Sequence, residues 1–181
     1  YIACLEQRKS TLGENHPSTL ITMSNLAGLH DDQGHYDEAL PLYIKCLEQS
    51  KSILGENHPD TLTSMNNLAI FYANQRQYDE ARPLLTTCLE QRKSTLGENH
   101  PDTLASMGNL ALLYDNQGED DKALPLYLTC LEQKKSTLGE NHPHTLSSMC
   151  NLTSLYHAQG HYDMALPLYI TCLEQSKSTL G

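Results

Sequence analysis

The sequence predicts an all-α solenoid built from antiparallel helix pairs. Three observations predict it: a repeat with a constant 42-residue period, a helix-start signal at one fixed point in each repeat, and stop signals at two others. The string Leu-Gly-Glu-Asn-His-Pro begins at Leu12, Leu54, Leu96 and Leu138, and Leu180-Gly181 opens a further copy. Around it Thr-Leu, Met, Asn-Leu, Gln, Asp, Ala, Pro-Leu and Cys-Leu-Glu-Gln recur at constant offsets. Periods of roughly 20–50 residues mark architectures in which each unit buries its apolar face against its neighbours. The spacing never slips by a residue, so the units must be structurally equivalent.

The first helix of each unit, A, starts at Pro17, Pro59, Pro101 and Pro143. Proline is favoured at the first helical position, where its missing N–H costs nothing. The preceding histidine is pushed to an extended conformation, as an N-cap requires. Asp60 and Asp102 then sit in the first turn, where the helix dipole favours a negative charge. Leu62, Met65, Leu68, Ala69 and Tyr72 follow at helical spacing. Helix A ends near Gln33-Gly34, Gln117-Gly118 and Gln159-Gly160, where glycine takes a left-handed cap. Arg76 replaces that glycine in the second unit, which predicts a slightly strained turn.

Helix B begins at Tyr36-Asp37, Tyr78-Asp79, Asp120-Asp121 and Tyr162-Asp163, and runs to the Leu-Gly pairs at 54–55, 96–97, 138–139 and 180–181. Pro41, Pro83, Pro125 and Pro167 fall about one turn in, where the lost backbone bond is tolerable. Glu6–Lys9, Glu48–Lys51, Glu90–Lys93, Glu132–Lys135 and Glu174–Lys177 are spaced i,i+3. Such pairs contribute about 0.2–0.5 kcal/mol each and suit a long, solvated helix face better than a docking face. Tyr1 aligns with Tyr43, so the chain starts inside a helix B. The expected organisation is one array over 1–181, with a partial helix B at 1–13 and repeats at about 14–55, 56–97, 98–139 and 140–181. Neither end carries a polar capping helix, which solenoids need for solubility, so the chain reads as a stretch of a longer array or one that stacks end to end.

Hydrophobic residues make up 39% of the chain, enough for a core spread evenly along it, and Tyr carries the aromatic load because there is no Trp and one Phe. The formal net charge of −10 argues against a nucleic-acid binder, which needs a clustered basic face, and against docking on anionic lipid. No apolar run approaches the roughly 18 residues of a membrane span, and the first residues lack a secretory pattern. A cytoplasmic location is the default expectation. Cys4, Cys46, Cys88, Cys130 and Cys172 occur one per repeat. Equivalent positions point the same way, so these thiols should pack reduced in the core rather than pair. Cys150 breaks the pattern, as a candidate groove-facing thiol or an inert one. Asn151-Leu152-Thr153 fits a glycosylation sequon, which would be accidental in a cytosolic chain.

The first unit places Met23, Asn25-Leu26-Ala27, His30, Gln33-Gly34, Tyr36-Asp37-Glu38-Ala39, Tyr43 and Cys46-Leu47 in an order that resembles the tetratricopeptide repeat family. The usual unit of that family is about 34 residues. The additional residues lie in the Glu-Gln-Arg-Lys-Ser-Thr-Leu-Gly-Glu-Asn-His-Pro stretch and would lengthen helix B by about 12 Å. With Asn66–Ala69 and Gly55–Asp60, the longer unit is most similar to the kinesin light chain and nephrocystin-like subclass. Cys in helix B, Thr153, His30 and Asp120 depart from the family pattern. The resemblance covers the whole chain and implies a right-handed superhelix, with A helices lining a concave face that binds an extended peptide or short helix.

On that face Asn25, Asn67, Asn109 and Asn151 recur one per unit. An amide both donates and accepts, so such a ladder can hold a peptide backbone without reading its side chains. It can also pair with a neighbouring helix and fix the stacking. Positions that vary between units should carry specificity; among them are Asn66, Ile70, Leu112, Asp31, Asp115 and His157. No helix A contains Lys or Arg, so a carboxylate-clamping groove lacks its charge-assisted donors. The expected partner is a neutral or basic segment with apolar anchors.

His16, His58, His100 and His142 recur in the Asn-His-Pro turns, but ligands one per repeat cannot converge on a metal at about 2 Å, so they read as caps. His30 with His35, and His157 with His161, leave a surface zinc site as a minor alternative. Neither a nucleophile–base arrangement nor a phosphate loop is present in the sequence, so no catalytic residue, metal or cofactor is assigned. The two functional expectations are a peptide-binding scaffold and a structural array that associates head to tail, which closes into a ring or grows as a filament.

Overall fold

The computed structural model describes residues 1–180, with side chains through Gln175. Among the described residues there are nine helices and no strand: α1 (Ile2–Leu12), α2 (Pro17–Asp32), α3 (Tyr36–Leu54), α4 (Pro59–Asn74), α5 (Tyr78–Leu96), α6 (Pro101–Asn116), α7 (Asp120–Leu138), α8 (Pro143–Ala158) and α9 (Tyr162–Leu180). The even-numbered helices are the expected A helices and the odd-numbered ones the B helices. This is an all-α repeat solenoid. The Glu174–Lys177 pair and the final glycine stop fall outside the described residues.

Local chemistry sets the helix ends. His16, His58, His100 and His142 are extended N-caps, and each accepts at Nδ1 the backbone N–H two residues on, at 3.2 Å. Proline follows each cap at the first helical position. At the other end of helix A, Gly34, Gly118 and Gly160 have φ of 76°, 71° and 76°. Arg76 is held at φ 59° in the equivalent turn, the strain expected where the glycine is missing. Of the charge pairs, Glu6–Lys9 closes at 2.9 Å. Lys135 lies 3.8 Å from Glu140, in the turn that follows its helix.

The chain divides into two compact units, Tyr1–Thr95 and Leu96–Gly181. In the first, α2 and α3 form a hairpin with Ala27 and Ala39, both fully buried, in its shared core. Tyr43 and Leu47 on the far side of α3 pack against Leu62, Met65, Leu68 and Phe71 of α4. Leu5 of α1 closes over Met23, Leu26 and Cys46. The second unit repeats the scheme: Ala111 and Ala123 bring α6 and α7 together, while Tyr127 and Leu131 pack on Met149, Leu152 and Leu155 of α8. Small residues lie at the hairpin contact and large ones at the inter-repeat contact.

The repeated cysteine has a specific place in this packing. Cys46, Cys88 and Cys130 are buried and donate to the carbonyls of Leu20, Leu62 and Leu104 at 3.5, 3.3 and 3.2 Å. Each bond runs from helix B to the helix A of its own repeat, so the thiol acts as a small hydrophobe with a weak donor. Cys172 is buried as well, whereas Cys4 is exposed on α1.

Candidate functional site

Within each unit a cavity opens between two A helices, floored by the last turns of the B helix that connects them. In the first unit it is lined by Ile21, Ser24 and Asn25 of α2, Ser50 and Leu54 of α3, and Thr63 and Asn67 of α4. In the second unit Ala105 of α6, Lys134 and Leu138 of α7, and His144 of α8 line a cavity at the same repeat positions. The volumes are about 110 and 130 Å³. Small-molecule sites run to roughly 300–1,000 Å³. Each cavity therefore fits a single side chain of a longer ligand. A wider cleft lies further along α2, between Gly28, Leu29, Asp32 and Tyr43, and shares Asn25 and Asn67 with the first.

The floor position is a feature that reading helix A alone misses. Ser50 and Lys134 occupy it in the two cavities, and Arg8 and Arg92 stand at the same repeat position. Arg8 reaches the Ser18 carbonyl and Thr22 Oγ1 of α2, both at 2.7 Å. Arg92 is buried and donates to Thr63 Oγ1 of α4 at 3.1 Å. Lys134 Nζ donates to Ser148 Oγ of α8 at 2.8 Å. Basic groups thus do approach the A helices, from helix B and already engaged with hydroxyls. The signal was in the sequence, as a position that alternates between basic and small within an otherwise constant segment.

The asparagines divide between two roles. Asn25 is exposed, whereas Asn67, Asn109 and Asn151 are half-buried. Asn67 Nδ2 donates to Ser24 Oγ at 3.2 Å, linking α4 to α2. Asn66 is buried, so it supports the face more than it presents to it. Ile21 and Leu112 expose about half of their surface, at 52% and 43%, and Ile70 is half-buried. His157 is exposed, with its ring 5.4 Å from Tyr162. His161 lies against Tyr156, so the two imidazoles address different tyrosines. Among the described residues no group of three His, Cys, Asp or Glu side chains is placed to hold a metal.

Asp115 is tied to helix B. Tyr127 Oη donates to Asp115 Oδ2 at 3.2 Å. Burial raises the Asp115 carboxyl above its ordinary value, and the tyrosine bond opposes that. Burial and then Asp32 raise Asp31. Tyr43, the counterpart of Tyr127, is pushed up to about 12 by burial and by the charges of Asp31 and Asp32. The second repeat has Ala73 and Leu85 at these two positions and the fourth has His157 and Tyr169, so the acidic residue accompanies the tyrosine in the first and third repeats.

Tetratricopeptide repeat profiles match residues 60–136 and 116–178, and a related one matches residues 19–60. No curated protein matches the chain. Among solved structures, a Podosopora anserina kinesin light chain-like protein with nearly identical TPR-like repeats is 29% identical, with a TM-score of 0.74 over 97% of this chain and 83% of that one. BtubC (BKLC) from P. vanneervenii is 22% identical, with a TM-score of 0.79 over 92% of this chain and 66% of that one. The apo form of RapI shares the fold at 16% identity, with a TM-score of 0.76 over 98% of this chain and 48% of that one. Family profiles along most of the chain, the 42-residue unit and the kinesin light chain-like neighbours converge: the chain belongs to the tetratricopeptide repeat family, in its kinesin light chain-like subclass, a fold that mediates protein–protein interactions.

Proposed function

We propose that the chain is an interaction scaffold that holds a peptide or helix segment along the face lined by its A helices, and that it binds rather than catalyses. The observation that carries this reading is the recurrence of the inter-helix cavity at the same repeat positions in both units, each sized for one side chain. Asn25 and Asn67 beside the first cavity supply amide groups for a ligand backbone. Ile21 and Leu112 supply apolar contact. Asp32 and Asp60, which line the first unit's clefts, bias the partner toward neutral or basic segments with apolar anchors. The basic groups nearby are bonded to Thr22, Thr63 and Ser148, which reduces their availability to an acidic ligand. No described helix is long and apolar enough to cross a membrane. The reading places the protein in the cytosol, where free thiols stay reduced.

Capture from peptide libraries at two salt concentrations tests it. Enrichment of neutral or basic peptides with apolar anchors is the expected result; preferential capture of acidic C-terminal peptides would sink it. A second reading, end-to-end self-association, is favoured by the near-identity of the repeats, whose matching surfaces suit contact between copies. Light scattering across concentration separates the two: open-ended growth supports stacking and a constant mass supports the monomeric binder.

A further inference from the structure

The fourth repeat places a second cysteine opposite the repeated one. Cys150 Sγ on α8 lies 3.6 Å from Cys172 Sγ on α9. Both thiols are free. Cys150 is exposed, while Cys172 is buried at 7% exposure, so one sulfur meets solvent and the other sits directly behind it. The apposition belongs to the repeat geometry. In the third repeat, a Cβ added at Gly108, the position of Cys150, would lie 3.9 Å from Cys130 Sγ, the position of Cys172. The first three repeats carry Ser24, Asn66 and Gly108 there, so no second thiol stands at that position opposite Cys46, Cys88 or Cys130.

We propose that Cys150 and Cys172 form an oxidisable dithiol site, closed to a disulfide across the α8–α9 hairpin by a low-molecular-weight disulfide such as oxidised glutathione. The Cys150 thiolate attacks one sulfur of the oxidant, forming a mixed disulfide and expelling one small thiolate. Cys172, deprotonated as it reacts, then attacks Cys150 Sγ, forming the Cys150–Cys172 bond and expelling the second small thiolate. Two protein thiols are oxidised, one small disulfide is reduced to two thiols, and the two protons pass to those thiols. Exposure dictates the order, because the oxidant reaches Cys150 first. Burial and the neighbouring thiol hold Cys172 up to about 11, which reserves it for the resolving step. Cys150 adjoins Asn151 on helix A, so the closed form fixes the end of the candidate binding face to α9.

The test is oxidation of the native full chain by oxidised glutathione, in a Cys4→Ser background that removes the other exposed thiol. Remaining thiols are then alkylated under denaturing conditions and mapped by mass spectrometry. No Lys or Arg lies between Cys150 and Cys172, so trypsin leaves both on one peptide; cleavage before Asp163 separates them unless they are joined. The expected product is a monomer lighter by two hydrogens, with Cys150 and Cys172 linked and Cys46, Cys88 and Cys130 alkylated. Further substitution Cys150→Ser should abolish the product. A lasting glutathione adduct on Cys150 with Cys172 alkylated, or linkage only between molecules, would overturn the proposal. Circular dichroism of the oxidised form guards against unfolding: linkage that appears only after helical signal is lost also counts against it.

Discussion

Asn67 Nδ2 on α4 donates to Ser24 Oγ on α2, 3.2 Å away, so one rung of the asparagine ladder ties neighbouring A helices together. The bond uses one of the amide's two N–H groups and leaves its other hydrogen-bonding capacity to the face it lines. Stacking and ligand contact are therefore compatible at this residue. A double-mutant cycle with Asn67→Ala and Ser24→Ala measures the first role. A coupling of about 0.5–1.5 kcal/mol in urea unfolding is expected, the usual net value of such a bond. Additive losses would assign the asparagine to the ligand alone.

The strained turn offers a cleaner stability prediction. Arg76 at φ 59° does what Gly34, Gly118 and Gly160 do elsewhere without a side chain. Arg76→Gly should stabilise the protein by about 1 kcal/mol, read as a higher urea midpoint. Gly118→Ala should move it the other way by a similar amount. A neutral Arg76→Gly would mean that arginine contacts offset the backbone strain.

The half-buried carboxyls predict a pH dependence. Asp31 and Asp115 are raised in the folded state, so the folded chain binds more protons than the unfolded chain just above the ordinary aspartate value. Stability contributed by their neutral forms is present at low pH and is lost as pH rises through the raised values. Asp31→Asn and Asp115→Asn should therefore raise the melting temperature at pH 7 and flatten the acid side of the profile. Asp115→Asn should change it less, because the Tyr127 hydroxyl already stabilises that carboxylate. A lower melting temperature at pH 7 in both variants would contradict the account.

The floor of the second cavity tests partner charge. Lys134→Ser gives it the residue that Ser50 provides in the first. A basic peptide selected on this face should bind roughly twofold to fivefold tighter to the variant, in line with a partly exposed charge interaction. Fluorescence anisotropy at low salt reads the change. Weaker binding would place Lys134 in contact with an acidic group of the ligand.

Much of this molecule was legible because its determinants are local. The Asn-His-Pro cap, the proline at the first helical position and the Gly34-type stop each act within a few residues, so helix boundaries follow from the string itself. The apolar stripe Leu62, Met65 and Leu68 likewise found the core face by its spacing. The site was read less completely, because it depends on which side chains cross between elements. Arg92 and Lys134 sit on helix B yet bond to A helices, and Asp115 reaches Tyr127 across a hairpin. Helical periodicity assigns each to a face and says nothing about reach. The Cys150–Cys172 pair was hidden for the same reason: residues distant in sequence adjoin only once two helices fold back on each other.

Amide hydrogen exchange on the chain, with and without a peptide selected from the library, tests the central claim most directly. The account predicts added protection at Ile21–Asn25 and Thr63–Asn67, the segments that line the first cavity. It also predicts no change over the charged outer face of α3 around Glu48. Protection confined to that outer face, with the A helices unaffected, would contradict it.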